Sequence, residues 1–225
     1  MNIIMNNLVL ITSVICTPNI PLSYTSTRSV FTHDERFLQT KKTIETVKEK
    51  IPNAKIFIVE CSALNEEQTD YFTKNTDYFL NLYNNENIRK NTYSISKSLG
   101  EGTMTYCALE YILKNNIIFD NLIKISGRYW LSDKFNYNNF NNKNIVIKYI
   151  DNNHDNVFTA LYKIPTETVI NFKIFLQNKF NEMRNCIGYE VLFSIFIKTV
   201  NIQITHINPI GLDGHVSISK EFYSG

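Results

Sequence analysis

The apolar residues of this chain fall in short runs separated by polar stretches. Residues 7–15 (NLVLITSVI) form an almost unbroken β-branched run, which predicts a strand buried on both faces. A polar loop, 17–34, follows. Residues 35–50 show helical spacing, with Phe37, Ile44, Val47 and Ile51 on one face and Arg36, Lys41, Lys42, Glu45 and Lys48 elsewhere. A second strand is expected at 54–60, a helix start capped by Asn65, and a third strand at 77–83. Residues 84–98 read as polar loop leading into an amphipathic helix at 103–115. The fourth strand, 121–126, runs directly into Gly127 and Arg128. Strands at 145–150 and 157–164, a helix at 166–180 opened by Pro165, a helix at 188–200 and a strand at 202–207 complete the pattern. The tail, 208–225, reads as loop. Alternating strands and helices imply an α/β fold in one domain, with a mostly parallel central sheet and helices on both faces. Ligands of such sheets bind beyond the carboxyl ends of the strands.

Composition narrows the function. Of 225 residues, 44% are hydrophobic and 20% charged, as in an ordinary soluble domain. A net charge of +2, with both signs interspersed, lacks the basic stripe that nucleic-acid binding needs, yet leaves enough cations for a small phosphorylated ligand. The Asn-rich stretch around 138–144 matches the general Asn, Ile, Lys and Tyr bias of the chain and is given no functional weight. Cys16, Cys61, Cys107 and Cys186 form no CxxC pair and no zinc spacing, so reduced thiols in a cytoplasmic protein are expected. The first apolar stretch is short and follows no Lys or Arg, unlike a secretory segment. No run of 18 apolar residues predicts a membrane span, so any membrane association would be peripheral.

GxGxxG, GxxxxGK[ST] and GxSxG are all absent, which argues against dinucleotide dehydrogenases, P-loop enzymes and serine hydrolases. Four constellations remain. Thr12 and Ser13 at the end of the first strand, with Arg28 and nearby hydroxyls in its loop, suit ribose and phosphate, or are an ordinary polar loop. Lys97 to Gly102 at a helix entrance could hold an anion against free N–H groups, or be a glycine-containing turn. Lys124, Gly127, Arg128 and Asp133 surround the end of the fourth strand. There Arg128 offers a planar fork for pyrophosphate, or a structural ion pair. Glu190, opening the last long helix, could be a general base or a first-turn carboxylate complementing the helix dipole. His206 and His215 could ligate metal or be structural. Tyr129, Trp130 and Phe135 fit an acceptor platform, an oligomer contact or, the favoured reading, core packing.

Taken together these segments resemble the GT-A glycosyltransferases, in the small form of bacterial surface-polysaccharide clusters and large DNA viruses. The resemblance is spread over most of the chain. It rests on LVLITSVI, on RFLQTKKTIETVKEKIPNAKIFIVECS, on KSLGEGTMTYCALEYILKNN with NLIKISGRYWL, and on IGYEVLFSIFI, which is similar to the late helix that often supplies an acidic base. It implies a Rossmann-like single domain over 1–225, with a nucleotide-binding half (1–131) and an acceptor-side half (132–225). It further implies a nucleotide-sugar donor, a glycan or lipid-linked acceptor, and usually a divalent metal (Mn or Mg). One departure stands out. Where the family carries Asp-x-Asp after the fourth strand, this chain reads Ser126-Gly127-Arg128, and Asp133 is the nearest carboxylate. Either Arg128 neutralises the leaving diphosphate without metal, or a metal is held by Asp133 and a histidine. On this reading Glu190 and Arg128 are the catalytic pair, while Thr12, Ser13, Arg28, Lys97, Gly102, Lys124 and Gly127 bind the donor. A nucleotidyltransferase making nucleotide-sugars and a non-catalytic nucleotide- or sugar-binding module are the rival readings. The first usually carries a Gly-rich basic loop after strand one, which is not seen here.

Overall fold

The computed structural model describes residues 5–225. In chain order the elements are β1 (Asn7–Ser13), α1 (His33–Lys50), β2 (Lys55–Glu60), α2 (Glu66–Asn75), β3 (Tyr78–Asn81), α3 (Glu86–Thr92), α4 (Lys97–Lys114), β4 (Asn121–Ser126) and β5 (Tyr129–Leu131). They continue with β6 (Ile145–Ile147), β7 (Leu161–Pro165), α5 (Val169–Asn178), α6 (Phe180–Arg184), α7 (Tyr189–Thr199), β8 (Ile204–His206), β9 (Leu212–His215) and β10 (Phe222–Ser224). A seven-stranded sheet runs in the order β3-β2-β1-β4-β7-β6-β8. The neighbours β3, β2, β1 and β4 are parallel, and β7 alone runs against the rest. This is a mixed but mostly parallel sheet.

Every residue of β1 is buried, as the unbroken apolar run requires at the centre of a two-faced sheet. Leu8 and Leu10 pack towards α4, α5 and α7, while Val9 and Ile11 pack towards α1 and α2. The period of two along the strand thus divides the core into two layers. Caps set the helix entrances. Thr32 and Glu35 form a reciprocal capping box on α1, and Asn65 with Gln68 does the same on α2.

Two expectations fail. The segment 84–98 is not loop: Asn85 caps α3, and Ser96 caps α4, which therefore starts six residues earlier than its apolar period shows. The first turns of α4 bury Leu99 but also pack their backbone closely; a Cβ on Gly100 would lie 2.9 Å from the Thr92 carbonyl oxygen. The tail is not loop either. β9 pairs antiparallel with β5 and β10, making a second, three-stranded sheet under α1. Its strands are three or four residues long, and β5 pairs with β9 across more than eighty positions of sequence, so no local alternation marks them. Several other elements are trimmed. β6 ends at Ile147, and β7 begins at Leu161. The 166–180 segment opens with a 3₁₀ turn, Thr166–Thr168, before α5.

Candidate functional site

A cavity of about 210 Å³ opens beyond the carboxyl ends of β1 and β4. Thr12 and Ser13 form its floor, next to Gly127, whose N–H donates to the Thr12 carbonyl at 2.9 Å. A Cβ on Gly127 would sit 3.0 Å from Ser13 Cβ, so the close crossing of the two strand exits needs a residue without a side chain. Thr40 of α1 closes the same corner, donating to the Gly127 carbonyl at 2.8 Å.

The walls are cationic. Arg128, directly after β4, has one guanidinium nitrogen on the His215 carbonyl at 3.3 Å. Opposite, Arg36 is 6% exposed. Its Nε donates to the Val14 carbonyl at 2.7 Å, and its Nη1 reaches the hydroxyls of Ser29 and Ser217 at 3.3 and 3.4 Å. Neither arginine has a carboxylate within ion-pair distance among the described residues. Burial and the neighbouring Arg128 bring Arg36 down to about 9, with the buried Glu60 carboxyl opposing the shift. Lys97, in the first turn of α4, completes the rim and pairs with Glu190 at 3.5 Å.

The expected site residues end up in different situations. Thr12, Ser13, Arg28, Lys97, Gly127 and Arg128 all line the cavity. Arg28, however, donates to four main-chain carbonyls, those of Ile20, Thr92, Tyr93 and Ser94, so its guanidinium ties the loop after β1 to the α3–α4 corner. Lys124 lies fully buried beneath the cavity, bonded to Glu101, to Ser126 Oγ at 2.9 Å and to the Thr159 carbonyl at 2.8 Å. Gly102 turns away from the cavity, towards Met183 and the ring of Tyr189. Glu190 stands at the start of α7, lining an adjoining cavity instead. Asp133 is fully exposed and paired with Lys50 at 3.2 Å. His206 stacks near Tyr149 and His154, and His215 packs among Phe31, Trp130 and Phe222. Trp130 is buried and Phe135 packs on Phe140.

Three residues at the cavity escape the sequence reading. By its helical spacing Arg36 falls off the apolar face of α1, yet Arg36, Thr40, Thr43 and Val47 are all buried. Their spacing of four, three and four is a helical stripe, and that was the available signal. Glu101 falls within the Lys97 to Gly102 segment, an anion site at a helix entrance or a turn, with no role of its own there. It lines the cavity as a helical residue one turn after Lys97. Burial works against its charge, but Lys124 and Lys97 outweigh burial and hold it below the ordinary carboxylate range. Ser217 comes from the far end of the chain, and nothing local points to it.

No protein-family profile and no curated protein matches the sequence. Solved structures do. A core-mannan synthase from Aspergillus fumigatus, in a form with Mn and GDP, superposes with a TM-score of 0.57 at 9% identity, covering 98% of this chain and 80% of the other. A glycosyltransferase involved in glycosylation of the major capsid of PBCV-1 superposes with a TM-score of 0.51 at 10% identity, covering 91% and 82%. This is the GT-A fold. The glycosyltransferase GlyE of Streptococcus pneumoniae shares it at a TM-score of 0.52 and 7% identity; this chain spans under half of that protein's length.

In this GT-A chain the residues offer a divalent metal little. No three His, Cys, Asp or Glu side chains converge among the described residues, and Asp133 faces Lys50 outside the cavity. Glu101, the carboxylate lining the cavity, is already engaged by Lys124. The donor set at the exit of β4 is cationic, which suits an anion directly. No helix is long and apolar enough to cross a membrane among the described residues, and all four cysteines are free.

Proposed function

We propose that the protein transfers a sugar from a nucleotide-sugar donor to an acceptor hydroxyl on a glycan or lipid-linked acceptor. The observation behind this reading is the cavity at the carboxyl edge of a GT-A sheet, walled by Arg36 and Arg128 with no carboxylate partner. Two guanidiniums held close together, neither in ion-pair contact with a carboxylate among the described residues, favour a ligand carrying at least two negative charges, and a diphosphate fits their planar forks.

In this scheme Thr12, Ser13 and Gly127 hold the nucleotide close to the backbone, while Arg128, Arg36 and Lys97 meet the diphosphate. The acceptor oxygen attacks the anomeric carbon as the bond to the diphosphate oxygen breaks. The arginines stabilise the charge that develops on the leaving group, without metal. The acceptor proton passes to the Glu190 carboxylate. A base on the face opposite the leaving group favours inversion.

Thermal melts with UDP, GDP and their sugars, each with Mn²⁺, Mg²⁺ or EDTA, test the reading. A ligand at about one hundred times its Kd stabilises the native state by about 2.7 kcal/mol. A selective shift that survives EDTA is expected, and it should vanish in Arg128→Ala. Glu190→Gln should keep the shift and lose transfer. Turnover retained in that variant would remove Glu190 as the base, and no shift with any donor would overturn the nucleotide-sugar reading.

A further inference from the structure

Lys124 is wholly buried beneath the cationic cavity, and its ammonium contacts fall into two groups. One goes down, to the Thr159 carbonyl at 2.8 Å. The other two go to residues that line the cavity, the Glu101 carboxylate and Ser126 Oγ, the latter at 2.9 Å. Ser126 is the half-buried last residue of β4, and its own N–H is fixed on the Ala160 carbonyl at 2.9 Å. It opens the Ser126-Gly127-Arg128 stretch, which has no carboxylate to offer a metal.

An ammonium has three protons to give and no lone pair with which to accept. In the contact with Lys124 the Ser126 oxygen is therefore the acceptor, and its own proton is left over. That proton has no acceptor among the described residues. A hydroxyl that already accepts from a cation is polarised and donates more strongly. The same ammonium neutralises Glu101, the carboxylate that would otherwise repel an anion in the cavity. One buried lysine thus leaves the wall beside Arg128 with a spare donor and no net negative charge.

We propose that the Ser126 hydroxyl donates a hydrogen bond to the leaving diphosphate beside Arg128, and that Lys124 is the positioning residue that keeps this hydroxyl a donor. The assignment rests on the nucleotide-sugar reading. With Lys124 removed, the freed Glu101 carboxylate becomes the acceptor for the Ser126 proton and also repels the diphosphate.

The test compares diphosphate with nucleoside. Binding of UDP and GDP is read from the concentration dependence of the thermal shift, and binding of uridine and guanosine from saturation-transfer NMR. Ser126→Ala should weaken the diphosphate that binds the wild type about ten- to a hundredfold, the size of one hydrogen bond to a charged group. It should leave the matching nucleoside unchanged. Lys124→Met should weaken the diphosphate at least as much. Adding Glu101→Leu should bring it back to within about threefold of wild type, because the hydroxyl is again free to donate from one of its three staggered rotamers. If Lys124→Met alone fails to fold, Ser126→Ala and the double variant carry the test. A Ser126→Ala protein that binds diphosphate like the wild type, or that loses diphosphate and nucleoside alike, would overturn the assignment and leave the donor reading in place. A double variant that keeps the nucleoside but not the diphosphate would overturn Lys124 as a positioning residue. No shift with either diphosphate in the wild type would instead remove the donor reading, and this assignment with it.

Discussion

Lys124 and Glu101 form the central ion pair of the molecule, one side chain fully buried and the other 13% exposed. All three ammonium protons have acceptors, in Glu101, Ser126 and the Thr159 carbonyl. Such a pair adds little net stability over apolar residues of the same size, but breaking it leaves a charge stranded. Lys124→Met should therefore cost about 3–5 kcal/mol in urea melts, and adding Glu101→Leu should recover most of that loss. A double variant no more stable than the single one would show that the Ser126 and Thr159 contacts, not the pair, hold this point. Arg36 behaves differently. Its charge is held by neutral groups, the Val14 carbonyl and the Ser29 and Ser217 hydroxyls, and not by an ion-paired carboxylate. Arg36→Met should therefore cost less than Lys124→Met, about 1–3 kcal/mol for the Val14 carbonyl left unpaired. It should nonetheless weaken nucleoside diphosphate binding at least tenfold, read from the concentration dependence of the thermal shift. Arg36→Lys, which keeps the charge without the fork, should restore binding only in part.

At the scale of elements, short strands here depend on side chains that reach across to loops. Lys163 of β7 is buried and donates to the Phe140 carbonyl at 3.1 Å and to both oxygens of Asn142 at 2.7 Å, fastening the turn before β6. Burial brings its ammonium down to about 7. The unfolded lysine titrates near 10.4, so between about pH 7 and pH 10 the unfolded chain holds a proton that the folded chain has released. Stability then rises with pH through that window, by about 1.4 kcal/mol per unit, and Lys163 adds no slope below it. In urea melts at about pH 6.5 and about pH 8.5, the wild type should gain roughly 2 kcal/mol relative to Lys163→Met. An unchanged difference would mean that the three carbonyl contacts keep the group charged in the fold.

At the scale of the whole molecule, the loop between β1 and α1 meets the turn between β9 and β10 at the cleft. The Val30 N–H donates to the Ser217 carbonyl at 2.9 Å, and Ser217 Oγ donates to the Arg28 carbonyl at 3.0 Å. The small sheet also buries Trp130, the single tryptophan, against His215 and Phe222. Deleting residues 208–225 should leave the seven-stranded sheet standing, with far-ultraviolet dichroism close to the full chain. It should also red-shift the Trp130 emission and abolish nucleotide stabilisation. Retained nucleotide binding would place the ligand on the α4 side of the cleft alone. A milder probe is Gly211→Ala. Gly211 has φ of +80°, and a Cβ there would lie 2.3 Å from the Phe135 backbone, so a loss of at least 1–3 kcal/mol is expected.

The sequence by itself determined the central layer. The apolar run of β1, the β-branched β2 and β4 and the amphipathic α1 and α7 carry their periods in neighbouring residues, because each must bury a face whatever its partner. It also placed Thr12, Ser13, Gly127 and Arg128 at strand exits, since a strand's end is local information. Tertiary structure alone decided the rest. Whether Arg36 is solvated or buried depends on what stands opposite the start of α1, and that is β4's exit, some ninety residues away. β9 and β10 are too short to show a pattern; β9 exists through pairing with β5, and β10 through pairing with β9. The α4 entrance is packed through glycines, which leave no apolar signature. Charge compensation at the cleft is a property of distances between side chains, and no linear spacing encodes it.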